Sequence, residues 1–222
     1  MEENQNSTTP PSHSVATRQI SITRQISISL DDAEPPIDKT RREKYYYQLS
    51  TCGIFFNRKT KKVWVNKKLD CNCFMIYAKS LFIEWVTDPR YWKWGKLEES
   101  SGTWIEVAEL LNVCWLDVRG KLDTRDLSPG VMYGVYFHVM LKNSKYYNWS
   151  VKVSLRLVGL RYQEHEIHLR GMVKDTWMEI PVGQFVAPAH DVKAGEMEFF
   201  LWDYGGNWKR GFIVKGASIE PL

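Results

Sequence analysis

From residue 45 onward the chain is written with a period of two. Apolar and polar side chains alternate through one short run after another: Lys62–Val65, Cys73–Tyr77, Ser80–Trp85, Tyr91–Trp94, Val113–Val118, Tyr133–Met140, Val151–Val158, Glu164–Leu169, Trp177–Ile180, Glu196–Trp202 and Phe212–Lys215. Two is the side-chain repeat of a strand, not of a helix. Turn-forming residues separate the runs at Asp88-Pro89, Ser128-Pro129-Gly130 and Gly205-Gly206-Asn207. Many short strands without helices between them predict an all-β chain, an antiparallel β-sandwich. Glu106–Leu111 alone has helical composition, and it is too short to alter the class.

The aromatic residues divide the chain. All 10 Trp, 11 Tyr and 9 Phe lie at or after Tyr45. Residues 1–44 hold none and are rich in Ser, Thr and Pro, so they read as a disordered head. Residues 45–72 read as a basic, aromatic-containing extension, and 73–222 as the sandwich. The head repeats one hexapeptide, Thr17–Ile22 and Thr23–Ile28, and each copy sets an Arg three residues before a Ser. That spacing suits phosphorylation of Ser21 and Ser27 by kinases that favour basic residues.

Net charge is +4, and it is local. Residues 45–79 hold 7 basic and 1 acidic side chains, whereas residues 80–222 hold 17 and 18. Arg58, Lys59, Lys61, Lys62, Lys67 and Lys68 make up the basic cluster, which could touch RNA, anionic lipid or an import receptor. With Tyr45–Tyr47, Phe55, Phe56 and Trp64 as stacking surfaces it defines an RNA-binding alternative. A solvated charged loop, with Arg58–Lys62 as a hairpin tip between Phe55 and Val63, is the plainer reading.

Several classes are disfavoured. No apolar stretch has transmembrane length, and the N-terminal residues lack the pattern of a secretory signal. Cys52, Cys71, Cys73 and Cys114 are too few for a disulfide scaffold, so a reducing setting is expected, the cytoplasm with the nucleus as an alternative. Cys71-Asn-Cys73 lacks the second ligand pair of a zinc site, and His165 and His168 fall on opposite strand faces. No metal or cofactor is expected. His138 sits in an apolar run and reads as a satisfied core residue.

Ile83–Trp94, Ile105–Leu110, Val113–Leu122 and Trp208–Gly216 occur together and in order. This set closely resembles the plant phloem lectins (phloem protein two) and the related tobacco-type (Nictaba) lectins, from about Phe74 to Leu222. The resemblance implies a non-enzymatic, jelly-roll-like sandwich. It implies binding of N-acetylglucosamine oligomers, the units of chitin, and of the N-glycan cores of glycoproteins. It also implies a homodimer in the nucleocytoplasm or in phloem sap. The positions matching the family's binding residues are Trp85, Trp92, Glu196 and Asp203, the last standing where the tobacco-type pattern has Glu.

The residues suit that chemistry on their own terms. A sugar offers a C–H face and a hydroxyl rim, so its site needs flat aromatic surface beside fixed polar groups. Trp85, Trp92 and Trp94 cluster around the Asp-Pro turn, and Trp208 follows the Gly-Gly turn. Alternation puts Trp92 and Trp94 on one face of an extended segment. It puts Glu196 and Asp203 on opposite faces, so they meet one ligand only if their strand bulges or stops before Asp203. A glycan hydrolase is the enzymatic rival, but no carboxyl pair of the necessary kind stands out.

Overall fold

The computed structural model describes residues 32–34, 36–37, 42–142, 149–189 and 195–222. The hexapeptide repeat, with Ser21 and Ser27, lies outside them. Helix α1 (Arg42–Thr51) leads into β1 (Ile54–Phe56), β2 (Lys61–Asn66), β3 (Cys71–Tyr77) and β4 (Phe82–Ile83). There follow β5 (Trp92–Ser100), β6 (Thr103–Leu110), β7 (Leu116–Asp123), β8 (Met132–Leu141) and β9 (Ser150–Leu157). The last four are β10 (Gln163–His168), β11 (Trp177–Val186), β12 (Glu196–Asp203) and β13 (Phe212–Pro221). The strands form two antiparallel sheets, so the all-β sandwich is the observed class.

The smaller sheet runs β10-β9-β12-β7-β4. The larger one is organised around β13. One edge of that strand pairs with β8 over its whole length. The other edge is shared: Ile213 and Val214 take β6, whereas residues 216–219 take β3. The sheet therefore forks, with β3-β2-β1 on one branch and β6-β5 on the other. Gly216 sits at the fork, where a Cβ would lie 2.2 Å from the Ile76 carbonyl oxygen.

Alternation builds the core between the sheets. On β12 the side chains of Met197, Phe199 and Leu201 point inward, and on β7 those of Leu116, Val118 and Leu122 do so. They meet Phe137, Val139, Val214, Ala217 and Ile219 from the larger sheet. The Phe137 and Phe199 rings pack edge to face across the interface at 5.6 Å. Each Val, Leu, Ile, Met or Phe among them contributes roughly 1.5–3 kcal/mol through burial. Gly120 takes the inward position beneath Phe199, where a Cβ would stand 2.1 Å from that ring.

Three expectations change. Glu106–Leu111 is not helix, and all but its last residue lie in β6: Ile105 and Val107 feed a small cluster on the outer face of the larger sheet while Ala108 and Leu110 face the core. Tertiary pairing with β5 and β13 outweighs local propensity. The one α-helix of the described residues is α1, and its Leu49 is buried in the main core. The domain boundaries at 44/45 and 72/73 therefore cut α1 and β3, and the extension is an integral part of the larger sheet. Glu34 also pairs with Phe55, which ties one residue of the head to β1.

The basic stretch is a hairpin tip followed by a second turn. Asn57, Arg58 and Lys59 turn the chain between β1 and β2 with positive φ. Lys67 and Lys68 occupy the next turn, where the Asn66 side chain accepts from the amides of Lys68 and Leu69. The six residues of β2 separate the two turns by about 20 Å, so the basic side chains form two groups, not one track. Phe55 and Phe56 are buried and present no stacking face.

Candidate functional site

Three loops meet at one end of the smaller sheet. The first, 84–91, follows β4. The Glu84 amide donates to the Asp117 carbonyl (3.0 Å), and the Trp92 indole nitrogen donates to the Glu84 carbonyl (2.9 Å). Trp92 is only 3% exposed and packs in the core. The residue between these anchors and the turn, Trp85, has φ of 62° and is 54% exposed. A bulky side chain in the left-handed region costs roughly 1–2 kcal/mol. The loop overrides that cost: the Val86 amide returns to Ile83 and the Asp88 amide to the Trp85 carbonyl. Tyr91 meets the Trp85 ring at 6.2 Å, edge to face. Asp88 accepts from the Arg90 guanidinium and, to lesser effect, its amide, which hold its carboxyl below the ordinary carboxylate range.

The second and third loops, 111–115 and 204–211, are locked together. Val113 and Lys209 exchange backbone hydrogen bonds of 3.0 and 2.6 Å. The Lys209 side chain is fully buried, and its ammonium donates to the carbonyls of Cys114, Gly205 and Asn207 at 2.5, 2.8 and 3.0 Å. Asp203 stands 3.0 Å from it as counter-ion. One ammonium thus satisfies turn carbonyls that no strand can reach.

Trp115 and Trp202 sandwich Tyr204, with ring centroids 4.2 and 4.7 Å away. Lys152 caps the far face of Trp202 at 5.0 Å. The Tyr204 hydroxyl donates to the buried Asp117 carboxylate (2.8 Å), which also holds the Arg119 guanidinium. Burial and the Asp117 partner push the Tyr204 phenol upward. Stacking consumes both faces of Tyr204, while Trp115 is 50% exposed and keeps one face open. Trp208, beside Lys209, is 55% exposed.

The predicted residues divide accordingly. Trp85 and Trp208 carry open indole surface at this end. Trp92 and Trp94 do share a face, and it is the core-facing one: Trp92 is buried and Trp94 half-buried against the core. Trp92 supports the loop instead, and Lys79 sits 3.7 Å over the Trp94 ring. β12 continues unbroken to Asp203, paired with β7 throughout. Glu196 therefore lies at the opposite end of the strand from Asp203, about 23 Å away at the usual strand rise, and on the opposite face. It pairs with Lys121 at 2.9 Å and does not join the site. Trp115 and Tyr204 were missed. Alternation did carry a signal for Trp115, which shares the outward parity of Asp117 and Arg119.

The arrangement offers three open indole faces, Trp85, Trp115 and Trp208, on loops that Trp92 and Lys209 fix from within. Asp88 and Asp203 supply carboxylate oxygens nearby, both already tethered. Among the described residues, no cluster of His, Cys, Asp and Glu is arranged to hold a metal ion.

Fold and surface together define a class, an antiparallel β-sandwich that carries three exposed tryptophans, Trp85, Trp115 and Trp208, on the loops at one end. Within that class the chain belongs to the phloem protein 2 family, whose model matches residues 71–221. A lectin of Luffa acutangula is 40% identical over 177 residues, covering 79% of this chain and 83% of its own. The Arabidopsis thaliana protein PHLOEM PROTEIN 2-LIKE A1 is 39% identical over 198 residues, covering 86% and 78%. Among solved structures, a carbohydrate-binding module in complex with β-1,4-galactotriose aligns with TM-score 0.38 and 11% identity, over 64% of this chain and 87% of that one.

Proposed function

We propose that the chain is a carbohydrate-binding lectin whose site is the loop end built around Trp85, Trp115 and Trp208. Family membership and the lectin from Luffa support the class. The observation that carries the site is Trp85, a large apolar side chain held outward at φ 62°. Strain of this kind persists only where the surroundings enforce it, and it gathers at ligand sites.

The ligand we propose is an N-acetylglucosamine oligomer, free or as an N-glycan core. Its ring faces are apolar enough for indole, and its acetamide and hydroxyls can reach Asp88 and Asp203. The reading is one of binding without bond breaking, as the lectin relative suggests. A shallow site gives weak affinity, so a homodimer on a multivalent glycoprotein would gain by avidity. Phloem sap and the nucleocytoplasm are the proposed settings. RNA binding is the weaker reading, because the basic groups split between two turns.

Titration with chitotriose tests the function. Tryptophan fluorescence should shift with saturation, and Trp85→Ala should abolish the shift while circular dichroism stays unchanged. A flat titration into the millimolar range would sink the reading.

A further inference from the structure

We propose that the outer face of the larger sheet holds a second, separate ligand site, one that takes a small protonated amine bearing a flat apolar group. A cavity of about 300 Å³ opens there between the C-terminal end of α1 and the sheet. Met75, Ser218 and His138 form its floor, each an outward position of β3, β13 or β8. Trp64 and Lys62 of β2 stand on one side, and Glu99 with Lys215 on the other. The sandwich core lies between this cavity and the loops of Trp85.

An inventory of donors and acceptors indicates the ligand. Most donors are already spent. The Ser50 hydroxyl donates to the Tyr47 carbonyl (3.2 Å) and the Cys52 thiol to that of Gln48 (3.6 Å). Ser218 and the His138 Nε2 share a 2.8 Å hydrogen bond. The Lys215 ammonium is held by Glu99 at 2.6 Å, while the Lys62 ammonium is turned toward the Phe55 ring at 5.1 Å.

Acceptors also remain. The amides of Cys52 and Gly53 both return to the Gln48 carbonyl, which leaves the later carbonyls of α1 without amides of their own. The end of a helix also carries partial negative charge. Glu220 enters the cavity from β13, and among the described residues no cation pairs with it. Burial is the main cause that pushes its carboxyl above the ordinary range; a hydrogen bond from Ser218 opposes the shift and the nearby Glu179 adds to it. A carboxylate, a helix C-terminus and an indole wall complement an ammonium group, through charge on one side and the ring quadrupole on the other. Met75 and the Trp64 face cover the apolar part of such a ligand.

Calorimetric titration of the full chain with phenethylamine tests the site, with phenethyl alcohol and hydrocinnamate as neutral and anionic counterparts of like shape. The amine should bind with saturation, the alcohol about tenfold more weakly or worse, and the carboxylate not at all. Glu220→Gln should weaken the amine by about tenfold and leave the chitotriose response unchanged. Trp64→Leu should weaken it as well, which keeps the test open if Glu220→Gln fails to fold. Equal binding of the three probes, an amine titration that never saturates, or an undiminished amine response in both variants overturns the proposal. None of these outcomes bears on the sugar site.

Discussion

The indole nitrogen of Trp92 lies 2.9 Å from the carbonyl oxygen of Glu84, and that bond fixes the outward position of the next residue, Trp85. A buried tryptophan thus presents an exposed one. The two are seven residues apart, yet they perform different tasks, support and contact.

Trp85→Gly should separate binding from stability. Glycine adopts φ 62° without the Cβ penalty, so the variant should unfold at the same or a higher urea concentration than the parent. Its chitotriose response should vanish. A clear loss of stability would show that Trp85 is chiefly a packing residue.

Trp92→Phe should do the reverse. It keeps most of the buried ring area and removes the donor to Glu84, at a cost of about 1–3 kcal/mol for the orphaned carbonyl. Sugar affinity should also fall, because the loop that carries Trp85 loses its anchor. Denaturant midpoints and fluorescence titrations on the same preparation check both effects.

Lys209→Met should be the most damaging single change at the loop end. It strands three carbonyls and leaves Asp203 without its cation. Removing one partner of a buried pair typically costs about 3–5 kcal/mol. Lys209→Met/Asp203→Asn should recover part of the loss, and the double-mutant cycle measures how much.

His138 predicts an acid-sensitive stability. Burial is the main cause that holds its pKa below the ordinary value, with Lys215 adding to the shift and Glu179 opposing it. The unfolded imidazole gains its proton near pH 6.5, whereas the folded one resists. Its contribution is therefore complete above that pH and is lost as pH falls through the folded value. Glu220, raised by burial, works with the opposite sign: its contribution is present at low pH and lost as pH rises. The drop in urea midpoint between pH 7 and pH 5 should shrink in His138→Gln. An unchanged drop would assign the acid sensitivity to other groups.

The fold was legible because alternation is a local signal that tertiary structure reinforces. Phe199 and Glu198 can be assigned to opposite faces from their positions alone, and β12 places them so. Glu106–Leu111 was misread because Ala, Glu and Leu favour helix, while the pairing of Ala108 with Trp94 and Val214 that makes it a strand is nonlocal. The site was legible only in part. Period two puts Trp92 and Trp94 on one face but cannot say whether that face meets solvent or the opposing sheet. Nothing local marks Lys209 as buried either, since a lysine between Trp208 and Arg210 reads as surface. Its burial depends on three carbonyls supplied by two loops.

The fork at β13 has a kinetic consequence. Among the described residues, 212–221 form the strand that pairs with the β3 branch, the β6-β5 branch and the β8-β11 pair. Until that segment is in place the larger sheet exists as separate strand groups with open edges. Chain closure over such long sequence separations is slow, so assembly should be all-or-none and gated by its thirteenth strand. Before then, the exposed edges are where the chain would meet copies of itself.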